Sequence, residues 1–328
     1  MITRKTVLVL GAGASAPYGF PVGKQLARDI TQLAIQLREA IQRDAGVVPF
    51  ADVAMLMLGN GTLDIADVRD FPEAFRDSGC STVDEFVEAK GNHRFLRFVK
   101  VATIHLLTQH ERVQDLFPDD DAVRRLHGEE VDWYRYLFGF LRTPNPTDFA
   151  HNQLKVITFN FDRSFEYRLF LMVRASYGLS AEDAGRLVAA IPVFHVHGAL
   201  GGPRWLGERR PDSRDYSPDP SSEQQVELMD RIRLVHEELP DSELEPAWRW
   251  LEEAQTIAFI GFGYHRLLLQ RLRMVGREPH CPVYGSTFGF TDTERMRIER
   301  RFEAGSERLY LTFNLKAREF LRNADFLY

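Results

Sequence analysis

Short apolar runs recur along the chain and have the length and composition of buried strands. The stronger runs, each ending in glycine or polar residues, cover residues 7–10, 155–159, 192–196 and 256–260. Two weaker runs cover residues 282–284 and 309–313. Segments with helical periodicity separate these runs. This alternation predicts an α/β fold built on a parallel sheet.

A long helical region separates the first two runs. Helical periodicity is clearest over residues 26–41, 83–98, 101–116 and 131–141. Because connections within a sheet are normally short, we predict a single domain over residues 1–328 with an inserted helical subdomain at about residues 40–150. Ser81 is the expected N-cap of a helix in this region, since acidic residues follow it in the first turn. Residues 201–222 are rich in Gly, Pro, Ser, Asp and Arg, which predicts a surface loop.

Composition and charge are those of an ordinary globular protein. The chain has 328 residues, of which 44% are hydrophobic and 27% are charged. A net charge of −6 provides no basic field, so no direct binding of nucleic acid is expected. The two cysteines lie far apart and cannot form a four-cysteine zinc site. Neither a signal-peptide pattern nor an apolar stretch of membrane length occurs, which predicts a cytoplasmic protein without membrane contact.

The first apolar run leads directly into the segment Gly11-Ala12-Gly13-Ala14-Ser15. A glycine-rich turn between a buried strand and a helix lets main-chain N–H groups approach a phosphate closely. Glycine is expected here because a Cβ atom would hold the phosphate away, and because such a turn demands unusual dihedral angles. The start of the chain therefore predicts a nucleotide site.

Three further predicted strands also end in residues that can serve a ligand site. These segments are Asn160-Phe161-Asp162, His195-Val196-His197-Gly198 and Gly261-Phe262-Gly263-Tyr264. In doubly wound sheets, ligands bind beyond the carboxyl ends of the strands. We therefore expect a Rossmann-like, doubly wound sheet in which all of these segments meet at one crevice.

Each polar residue in these segments also has a purely structural interpretation. Asn160 or Asp162 can cap the helix that begins near Ser164. His195 and His197 alternate on a strand and are expected to share a face. We interpret His195 as a buried structural residue and His197, at the end of the strand, as the catalytic candidate. Without a nearby carboxylate or cysteine set, the two histidines do not support a metal site.

Taken in order, these segments resemble the signature blocks of the sirtuin-like superfamily, and residues 81–86 resemble a helix start of its bacterial members. The resemblance implies NAD as the substrate and cleavage of the bond between nicotinamide and ribose. It places Asn160 and Asp162 beside the nicotinamide ribose and makes His197 the base for a ribose hydroxyl. It implies that the first segment holds the NAD diphosphate and that the last segment, with a predicted turn over residues 284–287, borders the adenosine half. The NAD-binding residues implied in this way are Gly11, Ala12, Gly13, Ala14, Ser15, Gly23, Gly261, Gly263, Tyr264, Gly285 and Ser286.

The chain departs from the deacetylase members of that superfamily in two respects. It lacks the two Cys-x-x-Cys pairs of their zinc ribbon, so no zinc is expected and deacetylation is put in doubt. The segment over residues 18–23 resembles the bacterial branch that consumes NAD, often in antiphage defence. The resemblance thus implies an NAD+ hydrolase with Asn160 and His197 as catalytic residues and Asp162 in support. It also implies a homo-oligomer and a defence partner of the ATPase, nuclease or Argonaute type.

Several alternatives remain open at this stage. The chain can be a catalytically quiet NAD-binding regulatory module, or a protein deacylase or ADP-ribosyltransferase. The pattern Gly11-x-Gly13-x-x-Ala16 also fits a dehydrogenase, but its acidic partner, Asp29, lies in a helical pattern rather than at a strand end. Four arginines predict a solvated loop, with contact to a partner or to an NAD phosphate as the alternative: Arg204, Arg209, Arg210 and Arg214.

Overall fold

A computed structural model describes residues 1–43, 50–120, 130–206, 213–302, 307–323 and 325–327. Its strands are β1 (Thr6–Leu10), β2 (Leu154–Thr158), β3 (Val193–His195), β4 (Gly202–Pro203), β5 (Ser213–Arg214), β6 (Thr256–Ile260), β7 (Val283–Thr287) and β8 (Leu309–Phe313). Six of them form one parallel sheet in the order β3-β2-β1-β6-β7-β8, and β4 pairs with β5 separately. The prediction of a Rossmann-like, doubly wound α/β fold is confirmed.

The chain places β2 and β3 on one side of β1 and then returns to place β6 to β8 on the other side. Between β1 and β6 the strand order therefore reverses, which in open α/β sheets marks the crevice where ligands bind. Leu10 pairs with both Thr158 and Ile260, so the loops that follow β1, β2 and β6 leave the sheet at the same level. Thr158 in turn pairs with His195 at the end of β3.

In the described ranges the α-helices are α1 (Ala12–Ser15), α2 (Gly23–Arg43), α3 (Ala51–Gly59), α4 (Ile65–Ser78), α5 (Val83–Glu88), α6 (Leu96–Thr108), α7 (Trp133–Leu141), α8 (Ser164–Tyr177), α9 (Ala181–Val188), α10 (Ser222–Met229), α11 (Asp241–Glu253), α12 (Arg266–Arg271), α13 (Asp292–Glu299) and α14 (Ala317–Asn323). Short 3-10 turns cover Ala16–Tyr18, Lys90–Phe95, Val113–Leu116, Pro118–Asp120, Pro146–His151, Arg204–Leu206 and Asp325–Leu327. No helix of the described ranges is both long enough and apolar enough to cross a membrane.

Both faces of the sheet are covered, because successive residues of β1 enter different apolar clusters. Leu8 and Leu10 pack into the cluster that includes the helices between β1 and β2. Val7 and Val9 pack into a second cluster with residues of α11 and β7. Burial on both faces explains why this strand reads as a continuous apolar run in the sequence.

The single helix predicted over residues 83–98 is wrong, because α5 ends at Glu88 and a 3-10 turn precedes α6. The Asn92 side chain donates to the carbonyl of Phe86 at 2.9 Å, which satisfies a carbonyl left open at the end of α5. The predicted N-cap is also displaced by one residue. Thr82, not Ser81, accepts the hydrogen bond from the Glu85 N–H, at 3.3 Å, while the Ser81 N–H donates to the Glu85 side chain.

The predicted solvated arginine cluster is wrong for Arg214, which is 6% exposed. Arg214 and Arg163 both bind Glu111, which is fully buried, and Arg163 also donates to the carbonyls of Gly202 and Arg214. Glu111, Arg163 and Arg214 thus form a buried ionic cluster that connects the segment around β4 and β5 to the loop after β2. Arg204 does lie on the surface beside Asp215, and Arg209 and Arg210 fall outside the described residues.

Candidate functional site

The loops after β1 and β6 are pressed together, backbone against backbone. The N–H of Gly13 donates to the Gly261 carbonyl at 2.9 Å, and the N–H of Gly11 donates to the Ile260 carbonyl at 3.1 Å. A Cβ atom on Gly11 would lie 2.6 Å from the Gly261 oxygen, and one on Gly261 would strike the amide nitrogen of Ala14. Gly261 also has a left-handed φ of +58°, whereas Gly11 has an ordinary φ of −116°. The expectation of unusual dihedral angles is thus wrong for Gly11, and the absence of a Cβ atom at Gly11 and Gly261 permits the contact between the two loops.

This contact uses donors that the sequence assigns to a phosphate. The N–H of Ala14 donates to the Gly11 carbonyl at 2.9 Å, so the N–H groups of Gly11, Gly13 and Ala14 all have protein acceptors. Ala12, at the start of α1, and Gly263 are the exposed positions of the two loops. These two positions, unlike Gly11, Gly13 and Ala14, have main-chain N–H groups that take no part in the contact between the loops.

Asn160 joins the loop after β2 to the loop after β1. Its amide nitrogen donates to the Gly11 carbonyl and to Ser15 Oγ, both at 3.0 Å, and the residue is 9% exposed. Its main-chain N–H donates to Thr158 Oγ1 at 3.1 Å. Both hydrogens of the carboxamide are thereby used, which leaves Oδ1 as the group that can accept from a ligand or a water molecule.

Asp162 lies in the same buried network. It accepts hydrogen bonds from the main-chain N–H of Ser164, at 3.0 Å, and from the Ser164 hydroxyl, so it also stabilises the start of α8. Burial raises the pKa of Asp162, although its hydrogen bonds from Ser164 and Ser15 oppose that shift. Tyr134 Oη lies 2.8 Å from Ser164 Oγ and extends the network. Capping and shaping the site are therefore compatible roles for Asp162.

Among the helices between β1 and β2, α7 contacts the loop after β1 and the start of α8. The indole N–H of Trp133 donates to the Ala14 carbonyl at 2.8 Å, and Tyr134 stacks on Tyr18 with ring centroids 3.9 Å apart. Tyr18 in turn donates to Asp132 at 2.9 Å. Because α7 holds both the loop after β1 and the start of α8, the inserted helices determine how these two parts of the site face each other.

His197 lies at the far side of the site, in a largely apolar environment. It is 2% exposed, and its ring centroid lies 5.5 Å from that of Phe159. Arg271 Nη1 lies 3.2 Å from Nδ1 and 3.1 Å from Nε2 of the same ring. Burial, together with the charge of Arg271 and the neighbouring His236, lowers the pKa of His197 from 6.5 to about 3. His197 is therefore neutral near pH 7, and Arg271 Nη1 contacts both of its ring nitrogens.

Arg271 is a residue that the sequence analysis missed. It is the last residue of α12, and its second terminal nitrogen donates to the carbonyls of Val235 and, at 3.0 Å, Glu237. Asp84 acts on Arg271 electrostatically and accepts from the Val235 N–H at 3.2 Å. Burial raises the pKa of the Asp84 carboxyl group, which the nearby cations oppose. The segment around Val235 is thus held between the start of α5 and the base candidate.

The predicted shared face of the two histidines is wrong. β3 ends at His195, and residues 196 and 197 form a turn, so strand alternation does not extend to His197. His195 instead binds Glu166 on α8 and the carbonyl of Asn160. The sequence analysis saw no carboxylate near these histidines because the Glu166 contact depends on how α8 packs.

The remaining predicted NAD contacts lie at the end of β6 and β7 or beside α5. Tyr264 is fully buried, and its hydroxyl donates to the Ser286 carbonyl at 3.1 Å, while Ser286 Oγ accepts from the Gly261 N–H at 3.2 Å. Residues 284–287 are not the predicted turn but part of β7, since they pair with β8. A Cβ on Gly285 would strike the Tyr264 hydroxyl, so glycine accommodates that ring. Gly23 begins α2 against the Thr82 methyl group.

Two shallow clefts lie at the opposite end of the sheet, near the amino ends of the strands. One is lined by Trp248, Ile257 and His280, and the other by Lys5, Lys155 and Trp250. Neither contains the residues described above. Within the described residues no group of three or more His, Cys, Asp or Glu side chains could hold a metal ion, and Cys80 and Cys281 are both free thiols.

Comparison with known proteins gives little beyond the chain itself. No protein-family model matches it. No curated protein matches it either. Among solved structures, it is similar to Sir2Tm bound to a propionylated peptide, at 13% identity and a TM-score of 0.38, over 97% of this chain and 91% of that chain. At this identity and TM-score the likeness carries no conclusion about ligand or activity.

Proposed function

We propose that this protein is an NAD+ glycohydrolase that cleaves the bond between nicotinamide and ribose. The observation that carries the proposal is the meeting of Asn160, Asp162 and Ser15 at the carboxyl end of the sheet, beside the reversal of strand order. That position is where doubly wound sheets bind nucleotides. The resemblance of the strand-end segments to an NAD-consuming superfamily adds the choice of nucleotide.

The reaction requires positioning more than acid catalysis. The C1′–N bond breaks with its electron pair passing to nicotinamide, which leaves as a neutral molecule and needs no proton. Water adds to C1′ and loses a proton, so the balance is NAD+ and water to nicotinamide, ADP-ribose and a proton. Asn160 Oδ1 orients the water or a ribose hydroxyl, and Asp162 stabilises the positive charge that develops at C1′.

His197 is the base in this proposal: it accepts a proton from a ribose hydroxyl as positive charge develops at C1′. The hydroxyl regains that proton after water has added, so the net proton released is the one that the water loses. A pKa of about 3 keeps the ring free of a proton at neutral pH but makes it a weak base. Movement of Arg271 away from the ring removes one of the causes of the low pKa and uncovers the ring for a substrate hydroxyl. Productive binding therefore includes movement of Arg271.

A second candidate function is a catalytically quiet NAD-binding module. The burial of His197 and its contact with Arg271 favour this alternative, because the base is covered in the structure. Such a module would require a trigger, a homo-oligomer or a partner of the ATPase, nuclease or Argonaute type to open the site. By the same resemblance we propose NAD depletion in bacterial antiphage defence as the setting. A protein deacylase or an ADP-ribosyltransferase stays a weaker proposal.

The test is NAD consumption by the purified protein at several concentrations, with nicotinamide and ADP-ribose separated by chromatography. Asn160→Asp and His197→Ala should each abolish the release of both products, and circular dichroism with the melting temperature establishes that each variant is folded under the assay conditions. His151→Ala is the matched control, because this side chain is 69% exposed at the other end of the sheet. Consumption that is unchanged in Asn160→Asp would refute the site. Intact NAD at every concentration would favour the quiet module.

A further inference from the structure

His195 makes two hydrogen bonds whose partners are both acceptors. Its Nδ1 lies 2.9 Å from the main-chain oxygen of Asn160, and its Nε2 lies 2.7 Å from Glu166 Oε1. The His195 and Glu166 side chains are only 12% and 14% exposed. A neutral imidazole carries one N–H, so it cannot donate to a carbonyl and to an ionised carboxylate at once. The geometry is satisfied by a protonated ring that donates from both nitrogens.

The charges around the ring agree with this arrangement. Burial alone lowers the pKa of His195, but the charge of Glu166, its hydrogen bond and the bond to the Asn160 carbonyl raise it above 6.5 overall. The groups that act on the ring are Glu166 on α8 and Asp162 in the loop after β2, both acidic. Near pH 7 the ring therefore retains its proton more readily than an exposed histidine does.

The contact lies directly behind the candidate catalytic amide. The Asn160 N–H is held by Thr158, its carbonyl by His195, and its carboxamide by Gly11 and Ser15. Loss of the Nδ1 proton would leave a lone pair facing the carbonyl oxygen, since Nε2–H stays on the carboxylate. The attraction would then become a repulsion, and the Asn160 peptide would lose one of the contacts that hold it.

We infer that His195 and Glu166 form a positioning pair for Asn160, in which the protonated ring holds the Asn160 carbonyl and so fixes its carboxamide in the site. The inference deepens the proposed NAD hydrolysis and rests on it for the kinetic consequence only. Because the stabilised form is the protonated one, the Asn160 carbonyl is held below the midpoint of His195 titration, and the carboxamide loses this support above it. Activity should therefore fall on the alkaline side with that midpoint.

The decisive experiment observes the pair without using activity. Histidines labelled at Cε1 are titrated by NMR, with the His195 signal assigned from His195→Gln and the Asn160 side-chain amide assigned from Asn160→Asp. We expect His195 to titrate above 6.5, the ordinary pKa of a free histidine side chain, and the Asn160 amide signal to move with the same midpoint. Glu166→Gln should lower both midpoints by about 1 pH unit, because it removes the negative partner. Glu182→Gln, on the exposed surface of α9, should leave both unchanged.

The kinetic arm measures kcat/KM for NAD against pH in the same variants. Glu166→Gln should move the alkaline limb to lower pH by as much as it lowers the NMR midpoint of His195. His195→Gln should remove that limb, because a carboxamide donates to the Asn160 carbonyl at every pH. A His195 midpoint at or below 6.5, or an Asn160 amide signal that ignores it, would overturn the inference. Absence of NAD turnover with both NMR results intact would instead refute only the proposed activity.

Discussion

Acid should weaken the fold through His197, because the folded protein resists protonation of this ring. The pKa of His197 is lowered from 6.5 to about 3, so the unfolded chain binds its proton at a pH where the folded chain does not. The contribution of the neutral His197 ring to the free energy of unfolding is therefore fully present above pH 6.5 and is lost as the pH falls toward 3. Each unit between the two values corresponds to about 1.4 kcal/mol. The loss is thus about 2 kcal/mol at about pH 5 and approaches about 5 kcal/mol near the lower value.

Denaturant unfolding measures this effect directly. The free energy of unfolding is determined near pH 7.5 and near pH 5 for the parent protein and for His197→Gln, whose side chain does not titrate. We expect the parent protein to lose about 2 kcal/mol more than His197→Gln over this interval. His151→Gln, at an exposed site, should behave like the parent protein. Equal losses in the parent protein and in His197→Gln would refute the assignment of a buried, neutral ring.

Three further predictions concern the contacts around the site. Gly261→Ala should lower the free energy of unfolding, measured in denaturant, by at least about 2 kcal/mol, because φ at this position is +58° and a Cβ atom would strike Ala14. Gly263→Ala is the control: no atom lies within 4 Å of its Cβ position, so it should change the same quantity by under about 0.5 kcal/mol. Glu111→Gln should cost about 3 kcal/mol in the same measurement, because two buried guanidinium groups lose their counter-charge, while Glu182→Gln on the surface should cost under about 0.5 kcal/mol. Arg271→Met should raise the pKa of His197 by about 1 unit in a histidine NMR titration, and an unchanged value would show that the Arg271 charge does not contribute to the shift.

The sheet could be predicted from the sequence because its strands are buried on both faces. All five residues of β1 and of β6 are buried, which produces uninterrupted apolar runs. β7 was harder to delimit, since Gly285 and Ser286 interrupt the pattern. Glycine at position 285 follows from Tyr264, whose hydroxyl a Cβ atom would strike, and serine at position 286 follows from its Oγ, which accepts from the Gly261 N–H. These contacts join two strands and leave no local signal in the sequence.

The residues of the candidate site also fall into those that the sequence predicts and those that depend on tertiary packing. Strand ends could be predicted as its location, and Asn160, Asp162 and His197 are placed at those ends. Glu166 and Arg271 could not be predicted, because each reaches the site from a helix whose packing decides the contact. Arg271 lies 74 positions from His197 in the chain, so no spacing rule connects them.

The contacts that close the site differ in how readily a ligand can replace them. Asn160 is held by donors and acceptors on three sides, and the glycine contact between the loops after β1 and β6 admits no side chain. Arg271, by contrast, places Nη1 over the His197 ring, nearly equidistant from both ring nitrogens, and donates from Nη2 to main-chain carbonyls rather than to a carboxylate. Hydrogen bonds between charged partners are stronger than those with one neutral partner. We therefore expect an anionic ligand to offer Arg271 a better acceptor than the His197 ring does, so that its binding would also uncover the proposed base.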